Sequence, residues 1–272
     1  MPETPTWDDI YAAVGLFPTS QEYNLNDLNV FFIDVGQGDS ILIYTEATTI
    51  LIDTGPEGNE QRIYNLLKEL KVDHVDYLII THGHDDHMGS LNAIKRLIKI
   101  DNEIIPDSNS KLSGFSLELP VKDKNTGNYK ENEKVSLNFL APIFLNDNLN
   151  NMSLVIKLTY GETSFLLMGD AESDEEGSLL RTYRAEDLHA DVLKVAHHGS
   201  ESSSTKAFIQ TVNPKYAVIS VGKDNDYGHP HQQTLTTLNS LKIETHRTDE
   251  EGTILFTSDG KIFSCFCNIR VL

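Results

Sequence analysis

The sequence has very little cysteine. Cys265 and Cys267 are the only two in 272 residues, and they stand two positions apart in "FSCFC". Alternate residues of a strand point to one face, and two cysteines placed in this way do not readily form a disulfide bond with each other. We therefore expect reduced side chains on a sheet face, with a metal-binding pair as the alternative, and a cytoplasmic protein.

Long apolar runs are also missing, and the first residues do not predict a secretory signal. No apolar run approaches the roughly 20 residues that cross a bilayer, so we expect no membrane partner. The first residues, "MPETPTWDDIYAAVGLF", contain no basic stretch ahead of an apolar one. We assign residues 1–27 to an N-terminal extension.

Basic residues are scarce. The chain has 22 Lys and Arg against 41 Asp and Glu, a formal net charge of −19. Such a chain repels phosphate backbones and lacks the diffuse attraction behind non-specific nucleic-acid binding. Any nucleic-acid partner must therefore be held locally, by metals or a few basic side chains. An acidic surface that only serves solubility is the simpler interpretation of the charge.

Two common catalytic signatures are absent. No G-x-S-x-G elbow is present, which argues against a serine hydrolase of that type. "DVGQGDS" has the glycines of a phosphate loop, but it lacks the Lys-Ser/Thr pair and precedes a strand-like run. It predicts a tight hairpin that points Asp34 or Asp39 at the edge of a site.

The hydropathy pattern predicts one α/β domain over residues 28–272. "LNVFFIDV", "DSILIYT" and "TTILIDTG" are typical of consecutive strands, and residues 60–70 have helical spacing. Strand-like and helix-like pieces then alternate without a linker, which favours a layered sheet core. Residues 106–134 are polar and rich in turn formers, and they predict an irregular insertion or flap.

Seven of the ten histidines fall into three groups, and each group follows a strand-like run. Strand ends meet along one edge of a layered α/β fold, where ligand sites are commonly built. The three groups could therefore converge on one site. They are His82, His84 and His87; His197 and His198; and His229 and His231.

"THGHDDH" stands between a strand-like run and a helical one. His82 and His84 are two apart and can point to one side, while Asp86 and His87 can turn to another. These donor types suit zinc, manganese or iron, and two pairs suit two neighbouring metals. Asp85 is then an exposed spacer. A solvated polar loop is the alternative.

The later strand ends supply further candidates. Asp170 ends "SFLLMGD", where a carboxylate can bridge two metals about 3.5 to 4 Å apart, although a turn or helix cap would look the same. One of His197 and His198 could complete the second metal; we favour His197 because it is nearer the strand. His229 precedes a proline in "YGHPH" and could protonate a leaving group or hold an oxyanion, or be an ordinary turn residue.

Five motifs in this order, "DVGQGDS", "THGHDDHMGS", "LLMGDAE", "LKVAHHGS" and "SVGKDNDYGHP", resemble the metallo-β-lactamase superfamily. They are most similar to the branch that contains the hydrolase domain of the competence protein ComEC and the phosphorylcholine esterases. The resemblance covers about residues 28–260. It implies a four-layer αββα sandwich with a dinuclear site at one edge, and two divalent ions, zinc or manganese, as cofactors.

The resemblance also implies roles for the residues. His82 and His84 would bind one metal and Asp86 and His87 the other, with Asp170 bridging. Water activated between the two metals would then attack the substrate. Asp86 at the metals and His229 at the scissile phosphate or its leaving group are the predicted catalytic residues.

One departure concerns the first metal. Many superfamily members have another histidine between the first motif and the bridging aspartate, and no histidine occurs here between His87 and Asp170. "NLNNMSLV" lies in that interval, and we expect Asn151 to approach the metal or the substrate. The missing histidine would leave one coordination position of the first metal open. A substrate oxygen could bind there, which favours hydrolysis of phosphate esters.

The predicted function is metal-dependent phosphodiester hydrolysis, with DNA or another nucleic acid as substrate. The alternative is a small-molecule phosphodiesterase acting on a nucleotide or a phosphocholine-type ester. A third hypothesis is a catalytically silent effector or binding subunit. Residues 1–27 and 106–134 could contact a second copy or a partner subunit, or cover the site.

Overall fold

Two seven-stranded sheets form the framework of the protein in a computed structural model that describes residues 28–106, 112–122 and 129–269. The predicted extension at 1–27 lies outside the described residues. In chain order the strands are β1 Leu28–Phe32, β2 Ile41–Tyr44, β3 Thr49–Ile52, β4 His74–Ile79, β5 Lys99–Ile104, β6 Ser116–Lys122, β7 Tyr129–Ala141, β8 Val155–Tyr160, β9 Thr163–Leu167, β10 Val192–Lys194, β11 Tyr216–Ile219, β12 Glu244–Arg247, β13 Thr253–Ser258 and β14 Phe263–Ile269.

Each sheet mixes antiparallel and parallel pairs. The first has the order β14-β13-β1-β2-β3-β4-β5; β1, β2 and β3 form the predicted antiparallel meander, and β4 and β5 continue in parallel. The second has the order β12-β11-β10-β9-β8-β7-β6, in which β9 to β12 are parallel. Parallel neighbours bring their carboxyl ends to one edge, and this determines where the site lies.

Short helices connect and cover the strands. The predicted helix after β3 is present as α1, and a capping hydroxyl, Thr205 Oγ1, accepts from Phe208 N at the start of α6. The helices are α1 Glu60–Glu69, α2 Asp85–Met88, α3 Leu91–Leu97, α4 Ser173–Thr182, α5 Ala185–Leu188, α6 Lys206–Val212, α7 Gln232–Ser240 and α8 Thr248–Glu251, with 3-10 turns at Asn150–Met152 and Ala196–Gly199.

Three apolar clusters separate four layers. Phe32, Phe139 and Phe165 belong to the cluster between the two sheets. A second cluster packs α1 and α3 on the outer face of the first sheet, and a third packs α4, α6 and α7 on the outer face of the second. Each fully buried large apolar side chain contributes roughly 1.5–3 kcal/mol. The predicted αββα sandwich is confirmed.

The segment 106–134 differs from its prediction. Its described part contains all of β6 and the start of β7, which pair antiparallel at the edge of the second sheet, as Glu118 does with Ser136. Edge strands that face solvent on one side have polar residues at many positions, so their apolar alternation is weak. This part is a hairpin rather than an irregular loop, and its role as a flap stays a prediction.

Nowhere in the described ranges is there a helix both long and apolar enough to cross a membrane.

Candidate metal centre

The predicted site residues gather at one edge of the two sheets. The chain after β4 carries the 82–87 cluster, the chain after β9 carries Asp170, and those after β10 and β11 carry His197 with His198 and then His229. A cavity of about 560 Å³ opens there. It is lined by Gln37, Pro56, His84, Asp85, Asp86, Asn150, Asp170, His197, His198, Tyr227 and His229.

One donor group consists of His82, His84 and Asp170. His82 Nε2 lies 3.0 Å from His84 Nδ1 and 3.8 Å from Asp170 Oδ2. The other nitrogen of His82, Nδ1, lies 3.3 Å from Ser153 Oγ. Burial and the neighbouring His87 lower the pKa of His82 to about 2, so its ring is neutral. A neutral ring has a lone pair for a metal ion.

A second donor group consists of Asp86, His87, Asp170 and His198. Asp170 Oδ2 is 3.2 Å from His87 Nε2, and Asp170 Oδ1 is 3.7 Å from His198 Nε2. Asp86 closes the group, with Oδ2 3.3 Å from His198 Nε2 and Oδ1 4.0 Å from His87 Nε2. Asp170 belongs to both groups, which is the arrangement of a bridging carboxylate.

The structure places His198, and not the favoured His197, in the second group. Both residues have left-handed backbone conformations, with φ of 49° and 52°, so their rings diverge. His197 Nδ1 lies 3.2 Å from Glu172 Oε1 and 3.2 Å from Ser202 Oγ, and its Nε2 is 3.9 Å from Asp170 Oδ2. Proximity to the strand was a poor guide because the left-handed conformation of both residues determines which ring faces the centre.

Contacts behind the donor atoms fix the direction of the rings. His87 Nδ1 lies 2.8 Å from Asp53 Oδ2, and His198 Nδ1 lies 2.8 Å from the carbonyl oxygen of Ser220. Both acceptors hold the ring proton on Nδ1, so Nε2 of each ring is free to face the centre. Asp53 is itself held by the backbone N–H and the hydroxyl of Thr81, each at 2.7 Å.

A buried lysine lies beneath the second group. The side chain of Lys194 is fully buried and forms an ion pair with Asp39. Its Nζ also donates to the carbonyl oxygen of Gly169 at 3.2 Å. Asp39 in turn lies 3.6 Å from His198 Nδ1 and 3.8 Å from His87 Nδ1. This ion pair therefore supports both imidazoles from below.

The donor atoms fit metal ions. Within the described chain, three buried atoms that face the centre have no hydrogen-bond partner: His87 Nε2, His198 Nε2 and Asp170 Oδ1. A buried polar atom without a partner is costly, and a metal ion would satisfy all three. Imidazole nitrogens with carboxylate oxygens are the donor set of zinc and manganese sites.

The electrostatics also call for positive charge. Burial opposes ionisation of Asp170, but His87 and His198 hold the pKa of this carboxyl well below its usual value. Burial likewise opposes the charge on His87, and Asp170 with Asp53 nevertheless raises the pKa of His87 well above its ordinary range. Despite burial, His198 and His87 lower the pKa of Asp86 to about 2. The imidazoles of His87 and His198 are thus the cationic partners of these buried carboxylates, a role that a divalent ion would take over.

The asparagine turn takes a different orientation from the one expected. Asn151 is buried, and its Oδ1 accepts from the backbone N–H of Glu172 at 2.9 Å. Its neighbour Asn150 lines the cavity instead, with Nδ2 donating to Glu172 Oε1 at 3.1 Å. The structure thus brings Asn150, rather than Asn151, to the substrate side of the site.

Of the two aspartates in the "DVGQGDS" hairpin, one lies at the site. Asp39 reaches the floor of the site, whereas Asp34 pairs with Arg62 at 3.3 Å and caps the backbone N–H of Gly36. Gly38 is required between them: at φ +149°, a Cβ there would meet the carbonyl oxygen of Asp86 at 2.2 Å. The hairpin thereby packs directly against the metal-binding loop.

His229 lies across the cavity from the first motif. Its ring is 5.5 Å from that of His197 and stacks on Tyr227 at 5.6 Å, and Asn225 Oδ1 accepts from its backbone N–H at 3.0 Å. Burial and the neighbouring His197 and His198 lower the pKa of His229 to about 4. Its uncharged ring can exchange hydrogen bonds with a bound ligand. Asp85, the expected spacer, is exposed at the cavity mouth.

Sequence reasoning missed two supporting residues. Asp53 ends the run "TTILID", and the strand-end argument used for Asp170 applies to it equally. Lys194 is a lone charge inside the apolar run "DVLKVA", and such a residue is buried only with a partner. Both signals were present in the sequence.

The two sheets and the donor groups at their edge define the class of metal-binding αββα sandwich proteins. A family model described as the metallo-beta-lactamase superfamily matches residues 33–223, and the chain belongs to this superfamily of generally hydrolytic metalloenzymes. ComE operon protein 3 of Bacillus subtilis (strain 168) is 31% identical over 260 residues, 86% of this chain and 33% of that protein. Competence protein ComA of Neisseria gonorrhoeae is 30% identical over 237 residues, 85% of this chain and 32% of that protein.

These matches confirm the resemblance to the superfamily and to its ComEC-like branch. The chain spans about a third of the length of these two relatives. Among solved structures, the metallo-beta-lactamase fold protein YhfI from Bacillus subtilis has a TM-score of 0.51 at 10% identity, covering 88% of this chain and 100% of that one. That likeness concerns the fold alone.

Proposed function

We propose that the protein is a dinuclear metal-dependent phosphodiesterase whose substrate is DNA or another nucleic acid. The observation that carries the proposal is the sharing of Asp170 by two donor groups at the floor of an open cavity. His82 and His84 would hold one divalent ion, zinc or manganese. Asp86, His87 and His198 would hold the other.

Two such ions, when bound, supply Lewis-acid activation of water and stabilise the charge that develops on a phosphoryl group. The chain itself orients the donors through Asp53 and the carbonyl of Ser220. His229 and Asn150 line the opposite part of the cavity, where they would hydrogen-bond to the non-reacting oxygens of the substrate. Fixed positions for these groups lower the entropic cost of reaching the reactive geometry.

Two observations favour a nucleic acid. The relatives include proteins named for competence, although they are about three times as long as this chain. A depression that shares His229 with the cavity is bordered by two basic and three acidic side chains: Lys223, Arg247, Asp224, Asp249 and Glu250. Arg247 is paired with Asp249 and Glu250. Lys223 is exposed there and provides the local cation that an otherwise acidic protein needs to hold a phosphate backbone.

A small-molecule phosphodiester is the second candidate. Of the described residues that line the cavity, none is Lys or Arg. A cavity of about 560 Å³ suits a nucleotide or a phosphocholine-type ester, and such a substrate suffers less repulsion from a chain of net charge −19. The complete donor set argues against a catalytically silent subunit.

The deciding experiment combines metal analysis with a substrate panel. Protein loaded with zinc or manganese is assayed on bis-nitrophenyl phosphate, single- and double-stranded DNA, RNA and small phosphodiesters at low salt. We expect metal-dependent cleavage of a nucleic acid that Asp86→Ala abolishes, with Lys261→Ala, outside the cavity, as the matched control. Cleavage of small esters alone would transfer the proposal to the second candidate. Absence of all cleavage by the metal-loaded protein would overturn both.

A further inference from the structure

A second set of metal-binding side chains lies outside the active-site cavity. His246 is on β12, an edge strand of the second sheet, and Cys265 and Cys267 are on β14, an edge strand of the first. One donor atom from each of the three lies within 4.8 Å of the others. None of the three lines the cavity with the Asp170 centre.

The distances bring all three side chains within reach of one ion. Cys265 Sγ and Cys267 Sγ are 4.0 Å apart, His246 Nε2 lies 3.8 Å from Cys265 Sγ, and His246 Nδ1 lies 3.5 Å from Cys267 Sγ. An ion would bind one of these two nitrogens, and one of them lies within 4.8 Å of both sulfurs. Zinc–sulfur bonds of about 2.3 Å and zinc–nitrogen bonds of about 2.0 Å place tetrahedral ligand atoms roughly 3.5–3.8 Å apart.

Two carboxylates border the cluster. Glu251 Oε2 lies 2.9 Å from His246 Nδ1, and Glu244 Oε1 lies 3.5 Å from His246 Nε2. A carboxylate beside a histidine ligand either fixes the ring or serves as a further ligand. The group whose donor atoms all lie within 4.8 Å of one another therefore offers two sulfurs and one imidazole, and a solvent molecule would occupy the fourth position of a tetrahedral ion.

The surroundings protect the cluster from water. The side chain of His246 is 13% exposed and its ring lies against those of Tyr216 and Phe256, at 6.2 and 5.9 Å. Neither cysteine is fully exposed to solvent, which favours a structural role over that of an accessible reactive thiol.

We propose that His246, Cys265 and Cys267 bind a structural zinc ion that joins the two sheets at their edge. The ligands come from two strands in different sheets, so the ion would cross-link the two sheets at one edge. Thiolate and imidazole donors favour zinc over harder divalent cations, and each bound thiol releases its proton to solvent.

The first test is spectroscopic and uses the full-length wild-type protein. Cobalt-loaded protein is expected to show a sulfur-to-cobalt charge-transfer band, which ligands of the His82–Asp170 type cannot produce. The same band should persist in Asp86→Ala, so the result is independent of the proposed function. Absence of the band in fully cobalt-loaded protein would overturn the proposal.

The second test counts metal. Cys265→Ser/Cys267→Ser should contain one zinc ion per chain fewer than wild type and retain its other ions. Ser264→Ala is the matched control, because Ser264 is exposed between the two cysteines on the same strand and should leave the metal content unchanged. If the double variant unfolds, alkylation of the wild-type protein is the test instead. Addition of a chelator should then make both thiols of each chain reactive towards the alkylating reagent. A Cys265–Cys267 disulfide, or alkylation unaffected by chelator, would contradict the proposal.

Discussion

Asp53 Oδ2 accepts a hydrogen bond from His87 Nδ1 at 2.8 Å, although the two residues are far apart in the sequence. The contact fixes the ring so that Nε2 faces Asp170 at 3.2 Å. Asp53 does not line the cavity, so it acts on the site indirectly, through His87 and through Thr81, whose hydroxyl lies 3.2 Å from His82 Nδ1.

Replacement of Asp53 tests this positioning role. Asp53→Asn keeps the size of the side chain but loses the carboxylate that orients His87, so we expect metal affinity to fall about 10–100-fold. Titration calorimetry with manganese or zinc measures the change. Asp34→Asn is the control, since Asp34 pairs with Arg62 away from the site. Equal affinities in both variants would refute the role.

The two adjacent histidines should behave differently. His198→Ala removes a donor from the second group and should lower the metal content by about one ion per chain. His197→Ala should retain both ions, because its ring is held by Glu172 and Ser202. Metal analysis of the two purified variants distinguishes them, and the reverse result would restore His197 as the ligand.

Lys194 is expected to be essential for stability. Lys194→Met leaves the Asp39 carboxylate buried without its cation, which typically costs about 3–5 kcal/mol. Denaturant unfolding measures the loss. Lys206→Met, at an exposed position, should change stability little. The double variant Asp39→Leu/Lys194→Met should recover part of the loss; if it does not, the ion pair is not its source.

Gly38 is expected to be irreplaceable for a steric reason. In Gly38→Ala the new methyl carbon meets the carbonyl oxygen of Asp86, so the metal-binding loop must move. We expect reduced metal content and a lower Tm. Gly36→Ala is the matched control, because Gly36 also has positive φ, +74°, but a Cβ there meets nothing within 4 Å. Similar effects in both variants would point to backbone strain instead.

Lys223 tests the nucleic-acid proposal. Lys223→Glu should weaken DNA binding and raise KM without changing the hydrolysis of bis-nitrophenyl phosphate, because the side chain borders the neighbouring depression. The dependence of log affinity on log salt should become shallower by about one. Lys261→Glu is the control, because it makes the same change in charge outside both the cavity and this depression. Equal losses in both would indicate a general charge effect and no local groove.

The fold was predictable because it depends on local periodicity, and so was the gathering of most candidate donor residues at one edge of the sheets. Apolar runs marked the β1–β3 meander, and strand ends marked His82, His84 and Asp170. The choice between His197 and His198 was not predictable from the sequence, since it depends on a left-handed backbone conformation at both residues. The pairing of β6 with β7 at the sheet edge was hidden by the polar solvent-facing residues of these strands.

Contacts between distant segments were also out of reach of the sequence. His246 meets Cys265 and Cys267 only because β12 and β14 lie at the same edge of two packed sheets. Nothing in the spacing of these residues indicates which layer each strand joins. The interpretation of the cysteines as sheet-face residues was consistent with the free, half-buried thiols, but it omitted their partner.

The ion pair between Asp39 and Lys194 joins a hairpin of the first sheet to a strand of the second. It can form only when the two sheets have docked, so we expect the complete donor set to assemble only in the folded domain. During synthesis, the nascent chain would carry His82 to His87 long before it could retain a metal ion there. Binding of metal at this site would therefore require that the two sheets have already packed together.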